Sequence, residues 1–325
     1  MTVTHHPRLL GDVGGTNARF AWQHEPGAPL SHVASSLCNE HDSLIDAVEH
    51  YLRGHTLPRP RACAIGIANP ITGDKVCMTN HHWSFSIASL QRELGLERLV
   101  VINDFAALAL SLPKLGPQHL RPIGGGEAVA GATRAVLGAG TGLGVSGLLP
   151  EASGRWSAIT GEGGHVTLAA SDDQEADVLA LLRQRFGHVS AERVLSGPGL
   201  INLYGAVAML ARQPAPPLTA ADILAQARAA SNPICRTAID MFCSFLGAMA
   251  GNLALTLGAR GGVYVGGGMA PRMLPELLGS RFRERFESKG RFADYLATIP
   301  TWVIDSTTPA ALIGASHVLD VPAAA

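Results

Sequence analysis

The chain has 325 residues, 47% hydrophobic and 16% charged, which accommodates a large core in two domains and excludes a disordered polymer. A formal net charge of -1 gives no electrostatic case for nucleic acid or an anionic membrane surface. Five scattered cysteines (Cys38, Cys63, Cys77, Cys235 and Cys243) form no CxxC pair, which argues against a disulfide framework or a cysteine zinc site. Residues 1–8 show no secretory pattern, and no stretch is expected to approach the length of a membrane span. The expected location is the cytosol. Glycine is abundant, at 37 residues, and clustered, as tight turns and close backbone approach to a ligand require.

In chain order, Leu9-Leu10 enters Gly11-Asp12-Val13-Gly14-Gly15-Thr16-Asn17, which reads as two short strands joined by a glycine turn. A helix is expected over residues 42–53, with Leu44, Ile45, Val48, Tyr51 and Leu52 on one face. Residues 63–68 form an apolar strand, 69–74 a turn, and 86–94 a short helix. Leu99-Val100-Val101-Ile102 then reads as a fully buried inner strand of a parallel sheet, ending in Asn103-Asp104. That polar pair admits two readings. It caps the helix that follows, or it faces a ligand at the carboxyl end of a strand.

After Lys114 the texture changes to Gly, Pro and Ala loops, and a domain boundary is placed there. Ala135-Val136-Leu137 feeds Gly138-Ala139-Gly140-Thr141-Gly142, the same layout as the first strand and turn, so a duplicated architecture is expected. Helices are expected over 173–186, 190–194, 199–212, 220–230 and 236–257. A strand leads into Gly266-Gly267-Gly268-Met269, and Pro271 opens a helix. A strand at 301–304 and a helix at 310–319 complete the chain.

The three glycine turns each follow a strand. Each alone is an ordinary turn; together they fit backbone N–H groups converging on phosphate oxygens, with threonine adding a hydroxyl. Asp12 is placed to hold Mg²⁺, directly or through water. No GxxxxGK[ST] occurs, and the GxGxxG at Gly142, Gly144 and Gly147 is followed by turn formers rather than a helix, against a dinucleotide site. Glu162 and His165 lie in a glycine loop without zinc-ligand spacing, and Glu192 sits in the first turn of a short helix. Asn103, Asp104, Glu162, His165 and Glu192 together suit a ligand with many hydroxyls.

These residues carry a resemblance. The segments Gly11-Asp12-Val13-Gly14-Gly15-Thr16-Asn17-Ala18-Arg19, Pro70-Ile71-Thr72-Gly73-Asp74, Thr79-Asn80-His81, Ile102-Asn103-Asp104-Phe105, the glycine turn from Gly138, Gly161-Glu162-Gly163-Gly164-His165, the stretch from His188 to Gly199, and Lys289-Gly290-Arg291-Phe292 resemble the bacterial glucokinase family, in order, over nearly the whole chain. The zinc motif of the related repressor and kinase family is missing, and Ala310 stands where the family tends to have glycine. The resemblance implies an α/β, two-domain actin-like ATPase (ribonuclease H-like) fold with an interdomain cleft. Its small domain would comprise 1–114 plus 306–325, and its large domain 115–305. It implies ATP and Mg²⁺ as cofactors, glucose as substrate, no nucleic-acid or membrane partner, and a homodimer. Asp104 would be the general base for the sugar 6-hydroxyl. Asn80, Asn103, Glu162, His165 and Glu192 would hold the ring hydroxyls. Gly11, Asp12, Val13, Gly14, Gly15 and Thr16, with Gly140 and Thr141, would cradle the phosphates, while Gly266, Gly267, Gly268 and Met269 would run beside the nucleoside. The alternatives are a kinase for another hexose and a non-catalytic sugar sensor.

Overall fold

The computed structural model describes residues 5–305, 307 and 309–320. The chain divides into two compact units, the first running to Gly116 and adding Glu151–Thr160 and the residues from Pro309 on, the second comprising Pro117–Pro150 and the residues from Gly161 to 307.

In the first unit, β1 (Arg8–Val13) turns back as β2 (Asn17–Gln23), with the Gly14 N–H donating to the Asn17 carbonyl at 2.9 Å to close the turn. The polar edge strand β3 (Ser31–Leu37) follows, a strand with no counterpart among the sequence expectations. Helix α1 (Leu44–Gly54) begins where the Ser43 hydroxyl accepts from the Asp46 N–H; of the predicted face it buries Leu44, Val48, Tyr51 and Leu52, while Ile45 is only half-buried and Ala47 is buried in addition. Strand β4 (Ala62–Ile67) is buried throughout. The short hairpin β5 (Lys75–Cys77) and β6 (Ser84–Ser86), helix α2 (Ile87–Glu93), β7 (Arg98–Asn103) and α3 (Asp104–Ser111) complete the run.

The sheet order is β3-β2-β1-β4-β7, with β1, β4 and β7 parallel. This corrects the reading of residues 99–102 as a fully buried inner strand. Strand β7 closes one edge of its sheet, and only Val101 on it is buried. A run of branched side chains fits the middle and the edge of a sheet equally well, because strand propensity does not report how many neighbours a strand has. The C-terminal helix, Ala310–Val318, packs on α3 so closely that a Cβ on Gly314 would overlap the Ala107 carbonyl oxygen. The alanine at 310 is buried without difficulty.

The second unit repeats the plan. Strand β8 (Leu120–Pro122) is followed by the hairpin β9 (Arg134–Ala139) and β10 (Leu143–Pro150), and the short strand β11 (Trp156–Ile159) belongs to the first unit. Helices α4 (Asp173–Phe186), α5 (Gly197–Leu210), α6 (Ala220–Arg228) and α7 (Pro233–Leu257) lead to β12 (Val263–Gly266). Helices α8 (Leu274–Gly279), α9 (Phe282–Glu287) and α10 (Ala293–Ala297) precede β13 (Thr301–Ile304). Within this unit the strands run β10-β9-β12-β13-β8, with β9, β12 and β13 parallel. An antiparallel hairpin feeding two further parallel strands therefore occurs twice, as the repeated glycine turns predict.

Three further expectations need correction. Residues 190–194 form only a single 3₁₀ turn, Ala191–Arg193, and Pro271 opens a 3₁₀ turn before α8. Helix α7, at 25 residues with a mean hydropathy of 1.5, is long and apolar enough to cross a membrane, against the expectation that no stretch approaches that length. Of its apolar window, 83% is buried in the fold. A helix mostly buried in a protein core has this composition.

Candidate active site

In the first unit the candidates gather at the carboxyl edge of the parallel strands. Pairing sets Asp12, Gly66 and Ile102 in one row and Val13, Ile67 and Asn103 in the next. Two inter-strand spacings of roughly 4.8 Å separate β1 from β7. Asn103 serves as the cap of α3, its Oδ1 accepting from Phe105 at 2.9 Å and from Ala106 at 3.1 Å. The capping reading is therefore realised for its oxygen, while its Nδ2 has no partner among the described residues. Asp104 is half-buried in the first turn of α3, with Oδ1 accepting from the Phe105 N–H at 2.9 Å. Gly66 makes room for the helix start: a Cβ there would lie 3.0 Å from Ala107 Cβ and 3.5 Å from Asp104 Cα.

Asp12, half-buried near the end of β1, sits across the hairpin from Arg19. Desolvation pushes its carboxyl above the ordinary value, and the facing guanidinium opposes that shift. Gly11 lies inside β1, and Val13 ends it, its carbonyl accepting from Ala68 at 2.9 Å. At the turn, the N–H groups of Gly15 and Thr16 have no partner among the described residues and are open to an anion. Asn80, exposed, backs directly onto Gly15, where a Cβ would lie 2.8 Å from Asn80 Cβ and 3.0 Å from its carbonyl oxygen. Asn69 fixes this loop, its Oδ1 accepting from the Thr79 N–H at 3.0 Å and the Thr79 hydroxyl at 2.8 Å.

In the second unit the candidates surround the β9–β10 turn. The Gly140 N–H is taken by the Gly142 carbonyl at 2.8 Å, and the Gly140 carbonyl accepts from Gly197 at 2.9 Å, so Gly140 shapes the turn and exposed Thr141 presents the donors. Gly138 pairs with Gly266, and a Cβ on Gly138 would lie 2.5 Å from the Gly266 carbonyl. Gly267 has a φ of +74°, which glycine adopts without strain. The Met269 N–H donates to the Ala139 carbonyl at 3.1 Å, and its side chain packs on the core. Gly268 is exposed in the same turn.

The glycine loop with Glu162 and His165 ends in a 3₁₀ turn, Gly163–His165, rather than an open loop. Gly164 packs against the Leu143 carbonyl, an approach that leaves no room for a Cβ. Both Glu162 and His165 are exposed, and the His165 N–H donates to the Glu162 carbonyl at 3.0 Å. Glu192 is half-buried, with Oε2 accepting from the Leu143 N–H at 2.9 Å, in the space a Cβ on Gly142 would fill. Its carboxylate is thus anchored on one oxygen.

Sequence reasoning did not single out Cys38 or Asn69. The Cys38 thiol donates to the Gly14 carbonyl at 3.3 Å and its N–H to the Thr16 carbonyl at 2.9 Å, bracing the first glycine turn from behind. Burial raises the thiol above its usual value, so it stays a neutral donor. Neither role leaves a local signal, because the partners are 24 and 10 residues away in the chain.

The family model described as Glucokinase matches residues 9–321. The glucokinase of Aromatoleum aromaticum is 55% identical over 318 residues, covering 97% of this chain and 95% of the relative. That of Ralstonia nicotianae is 48% identical, covering 98% and 96%. Among solved structures, a glucokinase from an Antarctic psychrotroph superposes with a TM-score of 0.87 at 37% identity, covering 96% of this chain and 98% of that one. The mixed α/β fold is that of the actin-like ATPases. The family model spans nearly the whole chain and the relatives are about half identical over almost all of it, so the chain belongs to the glucokinase family.

Proposed function

We propose that the chain phosphorylates the 6-hydroxyl of glucose with ATP, Asp104 receiving the hydroxyl proton. The observation that carries this reading is Asp104 itself, a half-buried carboxylate at the end of β7, in the same sheet edge as the anion-ready turn of Gly15 and Thr16. The sugar O6–phosphorus bond forms as the bond from the γ-phosphorus to the bridging oxygen breaks, the proton passes to Asp104, and ADP leaves. Alignment and charge stabilisation supply most of the acceleration.

Asn103 offers its Nδ2 to a ring hydroxyl while its oxygen holds the helix. Asn80, Glu162, His165 and Glu192 hold the others, since each hydroxyl needs a partner once water is excluded. The N–H groups of Gly15, Thr16 and Thr141 receive phosphate oxygens. Gly266, Gly267 and Gly268 give the nucleoside a surface free of side chains.

Asp12 fits a Mg²⁺ ion held through water. A desolvated carboxylate with a raised pKa is one that a cation would satisfy, and Mg²⁺ keeps most of its waters and takes few protein ligands. When bound, the ion neutralises charge on the phosphates. A homodimer and a cytosolic location complete the reading.

The test is a coupled ADP-release assay over a panel of hexoses. Glucose is expected to give the highest kcat/KM. Hexose-dependent ADP release that favours another sugar would change the substrate, and none at all would overturn the activity.

A further inference from the structure

In the second unit a cavity of about 270 Å³ opens between α4 and residues 187–189. Leu168 and Leu179 contribute an apolar wall, and Thr167, Arg183 and His188 supply the polar groups; no carboxylate lines it. Arg183 makes no side-chain hydrogen bond or ion pair among the described residues. A cation in the last turn of a helix is ordinarily explained by the helix dipole. Here the guanidinium shares a concave surface with an imidazole and a hydroxyl, the His188 Nε2 lying 3.0 Å from Thr167 Oγ1. An anion with a short carbon skeleton matches that lining: Arg183 offers a fork of donors to its oxygens, and the leucines cover its carbons.

The cavity also adjoins the segments that carry two sugar candidates. The Leu168 N–H donates to the Val189 carbonyl at 3.0 Å and the Ala191 N–H to the Val166 carbonyl at 2.9 Å. His165 and Glu192 are the next residues along these paired segments. We propose that the cavity binds a small phosphate monoester and that its occupancy changes the affinity for sugar through this pairing.

Glycerol 3-phosphate is the probe, titrated calorimetrically into the full-length protein with glucose and ADP present to fill the assigned pockets. Binding of one ester per chain at millimolar affinity or better is expected, weaker binding of inorganic phosphate, and none of glycerol. Arg183→Gln should weaken the ester at least about tenfold, as loss of a charge-assisted bond implies. Thr167→Val, which removes only a hydroxyl, should weaken it less. In initial-rate assays the ester should shift the KM for glucose in the wild type and not in Arg183→Gln. Absent binding, equal affinity for phosphate and ester, or an unchanged Arg183→Gln would overturn the site, and an unchanged KM would overturn the linkage. The linkage rests on the kinase reading, whereas the calorimetric arm needs no catalysis, so the two failures are distinguishable.

Discussion

The Glu192 carboxylate accepts a hydrogen bond from the Leu143 N–H at 2.9 Å, which fastens a proposed sugar ligand to the first residue of β10. Its Oε2 occupies the space a side chain at Gly142 would need. Gly142→Ala should therefore act as a disguised Glu192 variant, raising the KM for glucose about tenfold while leaving that for ATP near wild type. Glu192→Gln, which keeps an acceptor oxygen, should lose less than Glu192→Ala. Steady-state kinetics in both substrates check this, and an equal loss in the two KM values would contradict it.

Cys38 holds the first glycine turn by its thiol and its N–H. Cys38→Ala removes one of these bonds and should raise the KM for ATP about fivefold, with a much smaller change for glucose. Cys38→Ser restores a donor and should recover most of the loss. A purely structural role would lower thermal stability without separating the two KM values.

Asp12 carries a conflict between stability and function. Burial raises its pKa in the folded chain above 3.8. Between 3.8 and the raised value the unfolded chain has released a proton that the folded chain keeps, so stability falls as pH rises through that window and stays lowered above it. Asp12→Asn should thus melt at a higher temperature than wild type at neutral pH. That advantage should shrink as pH falls toward 3.8. If Asp12 holds the proposed Mg²⁺, turnover should drop on the order of a hundredfold or more. Melting curves across pH, paired with kcat, test both halves.

Helix α3, which starts at Asp104, is clamped on its other side by Gly314 of the C-terminal helix. A methyl at 314 would overlap the Ala107 carbonyl oxygen, which belongs to rigid backbone. Gly314→Ala should cost about 3 kcal/mol in a denaturant titration, the upper range for overpacking. Ala310→Gly, at the neighbouring departure from the family pattern, should cost about 1 kcal/mol or less.

Much of the fold was legible because strong local patterns coincide with their elements. Helix α4 and strand β13 run over the residues that spacing predicts, 173–186 and 301–304. The repeated turns at Gly14 and Gly140 foretold the repeated strand plan. Edge placement was not legible: β7 reads as interior because Val100 and Val101 look alike whether or not a further strand lies alongside. Strand β3 has only exposed and half-buried residues and lacks the apolar run that marks a strand. At the site, motif residues were visible as motifs. Their supports were not, since Cys38, Asn69 and Gly66 act through partners that only the folded chain brings near.

The most direct measurement is kcat for Asp104→Ala, alongside the glucose dissociation constant of the same variant. A fall of about a hundredfold to ten-thousandfold in kcat with sugar binding largely retained is the expected result. Turnover within a few fold of wild type would contradict the assignment of the base and the mechanism built on it.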